Sequence, residues 1–255
     1  MSLYYELDPA DADTPPQLPP LLKAEEVELK ADVHAKAIGR AAAGAVGLVC
    51  YGRRDDMLDM AITLAPEVTA DKAIQVHYLL MIAIGDAIGA AAPPEASVGY
   101  QFPGTILLNR GIAGNVRVSL ADEPVDGQTI PAWMVAGLQL RLKADMNQKS
   151  IDYRMSNSSL EEEGAGFISR TRLLESCCRH FLAWLHKWEE EGFRPVFDMW
   201  SNRLEHKVDL ISVTGQPIEW LGLDENGAGL LKTQGKARCV SVLHADQFIR
   251  PVYLD

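Results

Sequence analysis

The sequence lacks the patterns of several specialised protein classes. Its 255 residues include only four cysteines, Cys50, Cys177, Cys178 and Cys239, and no two of them have Cys-x-x-Cys spacing. We therefore expect reduced thiols in a cytoplasmic protein. Basic residues are also scarce: the chain has 24 Lys and Arg but 35 Asp and Glu, which gives a formal net charge of -11. That balance argues against binding to nucleic acid or to an anionic membrane.

From the sequence we also expect neither a membrane-spanning helix nor a leader sequence. The longest apolar run, residues 78 to 92, is interrupted by Asp86 and is too short to cross a bilayer, so we expect a buried helix. The first residues do not have the charged-then-apolar order of a leader. With 47% hydrophobic residues, the chain can form one large domain, or one medium and one small domain.

The most informative stretch, residues 100 to 118, predicts a β-hairpin. Two strand-like runs, 105 to 108 and 116 to 120, flank a turn at Asn109-Arg-Gly111. Before the hairpin, Pro103-Gly104 lacks one backbone donor and allows positive φ, so a ligand or another chain can approach the backbone there. An ordinary hairpin without a site has the same turn signals.

This stretch resembles the core of the biotin and lipoate protein ligase family. In that family a Lys-Trp-Pro-Asn-Asp motif is followed by a hairpin and a Lys-x-x-Gly motif. Phe102 and Pro103 take the Trp-Pro positions, and Gly114 takes the last position of the second motif. The resemblance covers roughly residues 23 to 250, and the order of the elements carries it more than any single motif.

Three groups that the family uses are replaced in this chain. Gln101 stands for the first lysine, Gly104-Thr105 for the Asn-Asp pair, and Gly111 for the second lysine. In the family, the second lysine contacts the carboxyl group of the acid, and the Asn-Asp pair helps to place ATP and its metal. The resemblance implies a small carboxylic acyl ligand, similar to biotin or lipoate, with ATP and magnesium as cofactors. The replacements predict that acyl-adenylate ligase activity is weak or lost.

A second candidate segment is Gly52-Arg-Arg-Asp-Asp56, between two predicted strands. It resembles a shortened form of the family's glycine- and arginine-rich loop, and such arginines can bind phosphate or carboxylate. Asp55 and Asp56 offset part of this charge, so a solvated turn is the alternative.

We predict a ligand site without a metal from the residues of these segments. Arg110 is a candidate substitute cation, although a shift of one residue can put its side chain on the opposite face. Asn115 and Arg117 share one face of their strand and either line the pocket or face water. The predicted ligand-binding residues are Gly52, Arg53, Arg54, Gln101, Phe102, Pro103, Thr105, Asn109, Arg110, Gly111, Gly114 and Asn115.

The predicted fold is α+β, with a mixed sheet flanked by helices as in class II synthetases and biotin ligases, plus a small C-terminal β-barrel. Residues 1–22 are expected to form an extended arm, 23–203 a catalytic-type domain and 204–255 the barrel. Apolar spacing and caps predict helices over 32–43, 69–92, 170–191 and 195–202.

Three functions remain open at this point. The first is an acyl-binding protein of the ligase type, which can act on a biotinyl or lipoyl acceptor domain. The second is a non-catalytic binding or scaffold protein, with a homodimer as one form. The third, an acyltransferase that uses preformed donors, has only Cys50 as a weak nucleophile candidate. DNA-binding repression is not expected, because no helix-turn-helix segment precedes the catalytic part.

Overall fold

The computed structural model describes residues 14–121, 127–144, 157–166, 168–205 and 210–250. The outer parts of the predicted arm and barrel, residues 1–13, 206–209 and 251–255, lie outside these ranges. Residues 14–22 of the predicted arm form neither a regular helix nor a strand. The division into three domains remains a prediction.

A seven-stranded mixed sheet forms the centre of the fold. Its strand order is β1-β2-β3-β7-β6-β5-β4, in which β1 and β2 run parallel and all other neighbours run antiparallel. The strands are β1 (Lys23–Glu26), β2 (Leu48–Tyr51), β3 (Met57–Leu64), β4 (Val98–Gln101), β5 (Thr105–Leu108), β6 (Gly111–Leu120) and β7 (Met134–Arg141).

Helices cover the two faces of this sheet unequally. One face carries the main core under α3 and α4, and the other carries a smaller cluster under α1. The helices are α1 (Val33–Ala42), α2 (Ala70–Ala73), α3 (Val76–Ala91), α4 (Arg170–Glu191) and α5 (Arg194–Asn202). α1 packs on β2, β3 and β7 of its face.

The helix ends follow from local sequence chemistry. Asp32 caps α1 by accepting hydrogen bonds from the backbone amides of His34 and Ala35, at 2.8 and 3.1 Å. Ser169 caps α4 through the amide of Arg172, and Gly192 ends that helix at a φ of 77°. The predicted helices are confirmed, apart from a break at 74–75 that divides the second into α2 and α3.

The region Ala70–Ala91 is long and apolar enough to cross a membrane, but 83% of its apolar window is buried inside the fold. It lies in the main core, which agrees with the predicted buried helix. Asp86 in this helix accepts a hydrogen bond from Arg203. A polar residue in a core helix is tolerated when it is paired in this way.

The C-terminal residues form a second, four-stranded antiparallel sheet in the order β11-β10-β9-β8. Within the described residues, β11 and β8 are edge strands that do not pair with each other, so the strands of the predicted small β-barrel form a sheet that is not closed there. The strands are β8 (Leu210–Ile211), β9 (Pro217–Leu223), β10 (Gly229–Thr233) and β11 (Lys236–Val240), followed by a 3-10 helix at Val242–Gln247.

Candidate functional site

A row of polar residues crosses five strands on the face that α1 partly covers. The strand register pairs Gln101 with Thr105, Thr105 with Asn115, Asn115 with Gln139, and Gln139 with Asp59. Side chains at directly paired positions of an antiparallel sheet point to the same side. We call these five residues the polar row.

The polar row faces away from the main core. Strand alternation sends the neighbouring residues Met60 and Leu138 to the opposite face, where both are buried in the main core cluster. The polar side chains therefore lie on the face of the sheet that carries α1.

The first turn of α1 closes one end of the polar row. The ring of His34 lies directly over Gly137, and its Nε2 is 2.9 Å from Oγ of Ser119. A side chain at position 137 would collide with this ring. Arg117 donates a 3.2 Å hydrogen bond to the helix cap Asp32. Gly137 thus allows the helix to approach the sheet closely beside the row.

A shallow cavity lies between this turn and the polar row, and its empty space of about 190 Å³ includes open solvent. Almost none of this space would hold a water molecule, so a bound ligand requires the lining side chains to move. Both Asn115 and Arg117 line it, and Arg117 is at the same time exposed to solvent. The lining residues are His34, Asp59, Met60, Asn115, Arg117, Gly137, Leu138 and Gln139.

Burial changes the acid–base properties of the cavity. It raises the pKa of Asp59 above its ordinary value, although a 3.3 Å hydrogen bond from Nε2 of Gln139 acts in the other direction. It lowers the pKa of His34 to about 4, and the nearby Arg117 acts in the same direction. His34 is therefore neutral at pH 7.

The three arginines predicted to bind an anionic group are all engaged with carboxylates. The pairs are Arg53 with Glu26 at 2.7 Å, Arg54 with Asp56 at 2.8 Å, and Arg110 with Glu205 at 3.3 Å. Of the loop residues, Gly52 lies nearest to the polar row, since its amide donates a 2.9 Å hydrogen bond to the carbonyl of Asp59. These carboxylates offset the positive charge that the three arginines were expected to offer to a ligand.

Phe102 and Pro103 support the fold beside the row. The ring of Phe102 is buried and packs on Trp220 of β9, with 5.2 Å between ring centroids. The carbonyl of Pro103 is 2.7 Å from Nε2 of the buried His77, at the start of α3. These two predicted ligand residues hold the second sheet and α3 against the hairpin.

The predicted hairpin is confirmed, but β6 begins at Gly111 instead of position 116. Asn109 and Arg110 form its two-residue turn, with φ of 46° and 74°. Both side chains are turned towards other partners, because Asn109 bonds to the amide of Ser97 at 3.1 Å and Arg110 pairs with Glu205.

The two predicted glycines lie against protein atoms. A Cβ at Gly111 would be 2.6 Å from Cβ of Ser158, so the segment 157–158 occupies the place of a longer side chain. A Cβ at Gly114 would be 3.0 Å from Cδ1 of Leu140, on the core side of the sheet. Of the predicted residues, Gln101, Thr105 and Asn115 thus lie in the polar row and Gly52 bonds to Asp59 at its other end, but Asn115 alone among the twelve lines the cavity.

The residues missed from the sequence are His34 and Asp59. Asp59 is the single charged residue in the apolar strand β3, and Gln139 occupies a similar position in β7. A polar residue inside an apolar strand can indicate a functional site. Whether two such residues lie side by side, however, depends on the strand register.

The sequence model of the Biotin/lipoate A/B protein ligase family matches residues 18–202. A biotin–[acetyl-CoA-carboxylase] ligase from Paracoccus denitrificans is 23% identical over 176 residues, which are 67% of this chain and 72% of that protein. A biotin protein ligase-like protein of unknown function from Silicibacter sp. TM1040 is 28% identical, with a TM-score of 0.80, and the match covers 89% of this chain and 97% of that one.

The Aquifex aeolicus biotin protein ligase in complex with biotin and ATP has the same fold, with a TM-score of 0.63 and 12% identity. That match covers 86% of this chain and 95% of that one. Since the family model matches most of the sequence, this chain belongs to the biotin/lipoate A/B protein ligase family.

Proposed function

We propose that this chain binds a small carboxylic acyl compound in the cavity at the polar row, and that ATP-dependent acyl-adenylate formation is weak or lost. Family membership and the ligands named for the Aquifex aeolicus structure support the first part. The observation that carries the second part is the pairing of Arg53, Arg54 and Arg110 with carboxylates.

Forming an acyl-adenylate requires positive charge at the α-phosphate and at the leaving pyrophosphate. Losing one such cation in a closed site costs about 3 kcal/mol, or roughly a hundredfold in rate. In this chain the candidate arginines are paired, and Asp59 adds a carboxylate to the cavity itself. The local charge therefore disfavours a nucleotide triphosphate.

One further feature bears on activation of the acid. The segment 157–158 covers Gly111, so there is no room for a long side chain at the position of the family's second lysine, which in that family contacts the carboxyl group of the acid. This replacement supports weak or lost adenylation, and we derive no reaction step through ATP or magnesium.

Isothermal titration calorimetry tests this proposal. The purified chain is titrated with biotin, lipoate and octanoate, and separately with ATP and magnesium. We expect binding of at least one acid and no measurable nucleotide binding. Nucleotide binding in the micromolar range, with pyrophosphate release when an acid is added, would contradict the loss of adenylation.

A matched pair of variants tests whether the acid binds in the cavity. Gln139→Leu keeps the approximate volume but removes an amide from the polar row, so we expect acid binding to weaken about tenfold. Gln216→Leu makes the same exchange at an exposed position outside the cavity and should leave binding unchanged. Equal effects of the two variants would place the ligand elsewhere.

The second candidate is a non-catalytic scaffold that acts through protein contacts. It is favoured by three exposed apolar residues beside the outer strand β1: Leu21, Leu29 and Val46, which are 78%, 66% and 61% exposed. Such residues often mark an interaction surface. The partner is a second copy of the chain or a biotinyl or lipoyl acceptor domain. Sedimentation analysis of the chain, alone and mixed with such a domain, distinguishes this function from ligand binding.

A further inference from the structure

The outer strand β1 presents an open backbone edge. It ends the seven-stranded sheet, and among the described strands β2 alone pairs with it. The amides of Lys23 and Val27 donate to carbonyls on that side, at 2.9 and 2.8 Å. Because backbone groups alternate in direction along a strand, those of Ala24 and Glu26 point away from the sheet. Both residues are exposed, so a further strand can reach these groups.

Exposed apolar side chains lie at both ends of this edge. Leu21, just before β1, is 78% exposed, and Leu29, just after it, is 66% exposed. Val46 is 61% exposed and precedes Gly47, where a Cβ would be 2.6 Å from the carbonyl oxygen of Leu21. Val46 therefore belongs to the same end of the edge as Leu21. Exposed apolar side chains beside an open strand edge favour an interaction surface.

The charges on β1 determine which antiparallel register a second copy of the chain can adopt. Glu25 points towards α1, where Arg40 pairs with it at 2.7 Å, and Lys23 lies on the same face of the strand. Pairing Ala24 with Ala24 of the second copy places each Lys23 directly opposite Glu25 of the other copy. Registers centred on any of the charged residues of β1 place two like charges opposite each other, which is unfavourable. The strand is therefore complementary to itself about Ala24.

We infer that β1 is a homodimer interface, in which the β1 strands of two copies pair antiparallel about a two-fold axis at Ala24. This pairing gives partners to the outward backbone groups of both strands. It also places the start of one strand beside the end of the other, which brings Leu21 of each copy towards Leu29 of the other and reduces their exposure to water.

The charge pattern answers the main objection to such an interface. Short, charged edge strands usually avoid pairing with another chain, but the charges of β1 attract each other in this one register. The inference names the partner for the scaffold function considered above, on which it rests. It does not require acid binding.

Sedimentation velocity of the full chain tests the interface. Because β1 has only four residues, the contact is small, and we expect a reversible dimer with a Kd of roughly 1–100 µM. Samples from about 1 to 300 µM cover this range. A chain that stays monomeric at the highest concentration would overturn the inference. If that monomer binds a biotinyl or lipoyl acceptor domain, the scaffold function remains and the homodimer is still excluded.

Proline substitution tests the backbone pairing. Ala24→Pro removes an amide that points away from the sheet, so the fold is expected to be retained while the central hydrogen bonds of the dimer are lost. We expect the dimer to weaken at least about tenfold. Ala237→Pro is the matched control on β11, the exposed edge strand of the second sheet. Its amide also points away from the neighbouring strand, because Thr233 and Lys236 form the hydrogen-bonded pair beside the two-residue turn.

Circular dichroism shows whether both proline variants are folded. A folded Ala24→Pro variant that dimerises normally, or an equal loss in both variants, would overturn the β1 interface.

Charge reversal tests the register without a proline. Lys23→Glu puts a carboxylate opposite Glu25 of the other copy, so we expect the dimer to weaken about tenfold at low salt and less at high salt. Lys236→Glu makes the same exchange on β11 and should leave the dimer unchanged. Equal sensitivity to the two exchanges, or none to Lys23→Glu, would overturn the pairing about Ala24. Because β1 does not line the cavity, acid binding measured by calorimetry remains an independent test of the proposed function.

Discussion

Arg203, just after α5, donates a 2.7 Å hydrogen bond to Asp86 in the second half of α3. The same guanidinium contacts Oη of Tyr100 at 3.0 Å, and Trp184 donates to the other carboxylate oxygen of Asp86 at 2.8 Å. One carboxylate in the apolar core helix therefore connects three helices and the edge of the sheet.

We predict that Arg203→Met lowers the free energy of unfolding by about 3 kcal/mol, because it leaves a partly buried carboxylate without its cation. Urea denaturation measures the change. Arg194→Met is the matched control, since its pair with Asp198 on α5 is exposed and should contribute less than about 0.5 kcal/mol. Similar losses in the two variants would show that the Asp86 pair has no special role.

The contact of His34 with Gly137 predicts a strict requirement for glycine in β7. Gly137→Ala should cost about 1–3 kcal/mol, because the added methyl group meets the imidazole ring that lies over it. Gly39→Ala is the control, since nothing lies within 4 Å of a Cβ there and alanine favours the helix. Thermal and urea unfolding report both effects.

A double-mutant cycle tests the contact between His34 and Gly137 directly. In a His34→Ala background the ring is gone, so Gly137→Ala should cost at least about 1 kcal/mol less than it does alone. Additive losses would mean that the methyl group at position 137 is accommodated without touching α1.

Trp220 is predicted to join the two sheets into one cooperative unit. Its ring packs on the buried Phe102, and Trp220→Ala should cost about 3 kcal/mol in the main unfolding transition. Leu221→Ala, at the next position of β9, is the control because that side chain is 48% exposed. A separate early transition of the C-terminal sheet would contradict cooperative unfolding and favour an independent domain.

Acid should destabilise the fold through the buried histidines His34 and His77. Burial lowers the pKa of His34 and of His77 from an ordinary 6.5 to about 4, so the unfolded chain binds more protons in this window. Stability is therefore highest above pH 6.5 and falls as the pH decreases towards 4, by up to about 3 kcal/mol for each histidine.

Denaturation curves between pH 7 and 4 measure this effect. His77→Gln removes one titrating group and keeps a donor for the carbonyl of Pro103, so the slope of stability against pH should decrease. Gln216→Leu, at an exposed position without a titrating side chain, should keep the original slope. An unchanged slope in His77→Gln would show that His77 is not the group that takes up the proton.

Local chemistry was sufficient to predict most of the elements. Ser169 and Gly192 fix the ends of α4, and the break at Pro93-Pro94 ends the apolar helix α3. The turn at Asn109 and Arg110 also follows from local sequence, although the start of β6 does not. A bulge opposite Ile106 and Leu107 lets β6 pair all the way from Gly111, and no short-range pattern specifies it.

The site depends on information that is not local. Asn115, Gln139 and Asp59 come from strands far apart in the chain, and they share a row only because β3, β7 and β6 pair in one register. Whether an arginine is available to bind an anionic ligand depends on its carboxylate partner. That partner is Glu26 for Arg53 and Glu205 for Arg110. Gly111 is covered by residues 157–158, which are distant from it along the chain.

The pairing of β3 with β7 at the centre of the sheet also bears on how fast the chain folds. Leu64 and Met134 are partners in this ladder, although about 70 residues separate them along the chain. The hairpins β4–β5 and β5–β6 close over a few residues and can form early, whereas the central ladder must close a long loop before it gains any contact. We expect folding to be limited by the joining of these two halves, and mutations in β3 or β7 to slow refolding more than mutations in the hairpin.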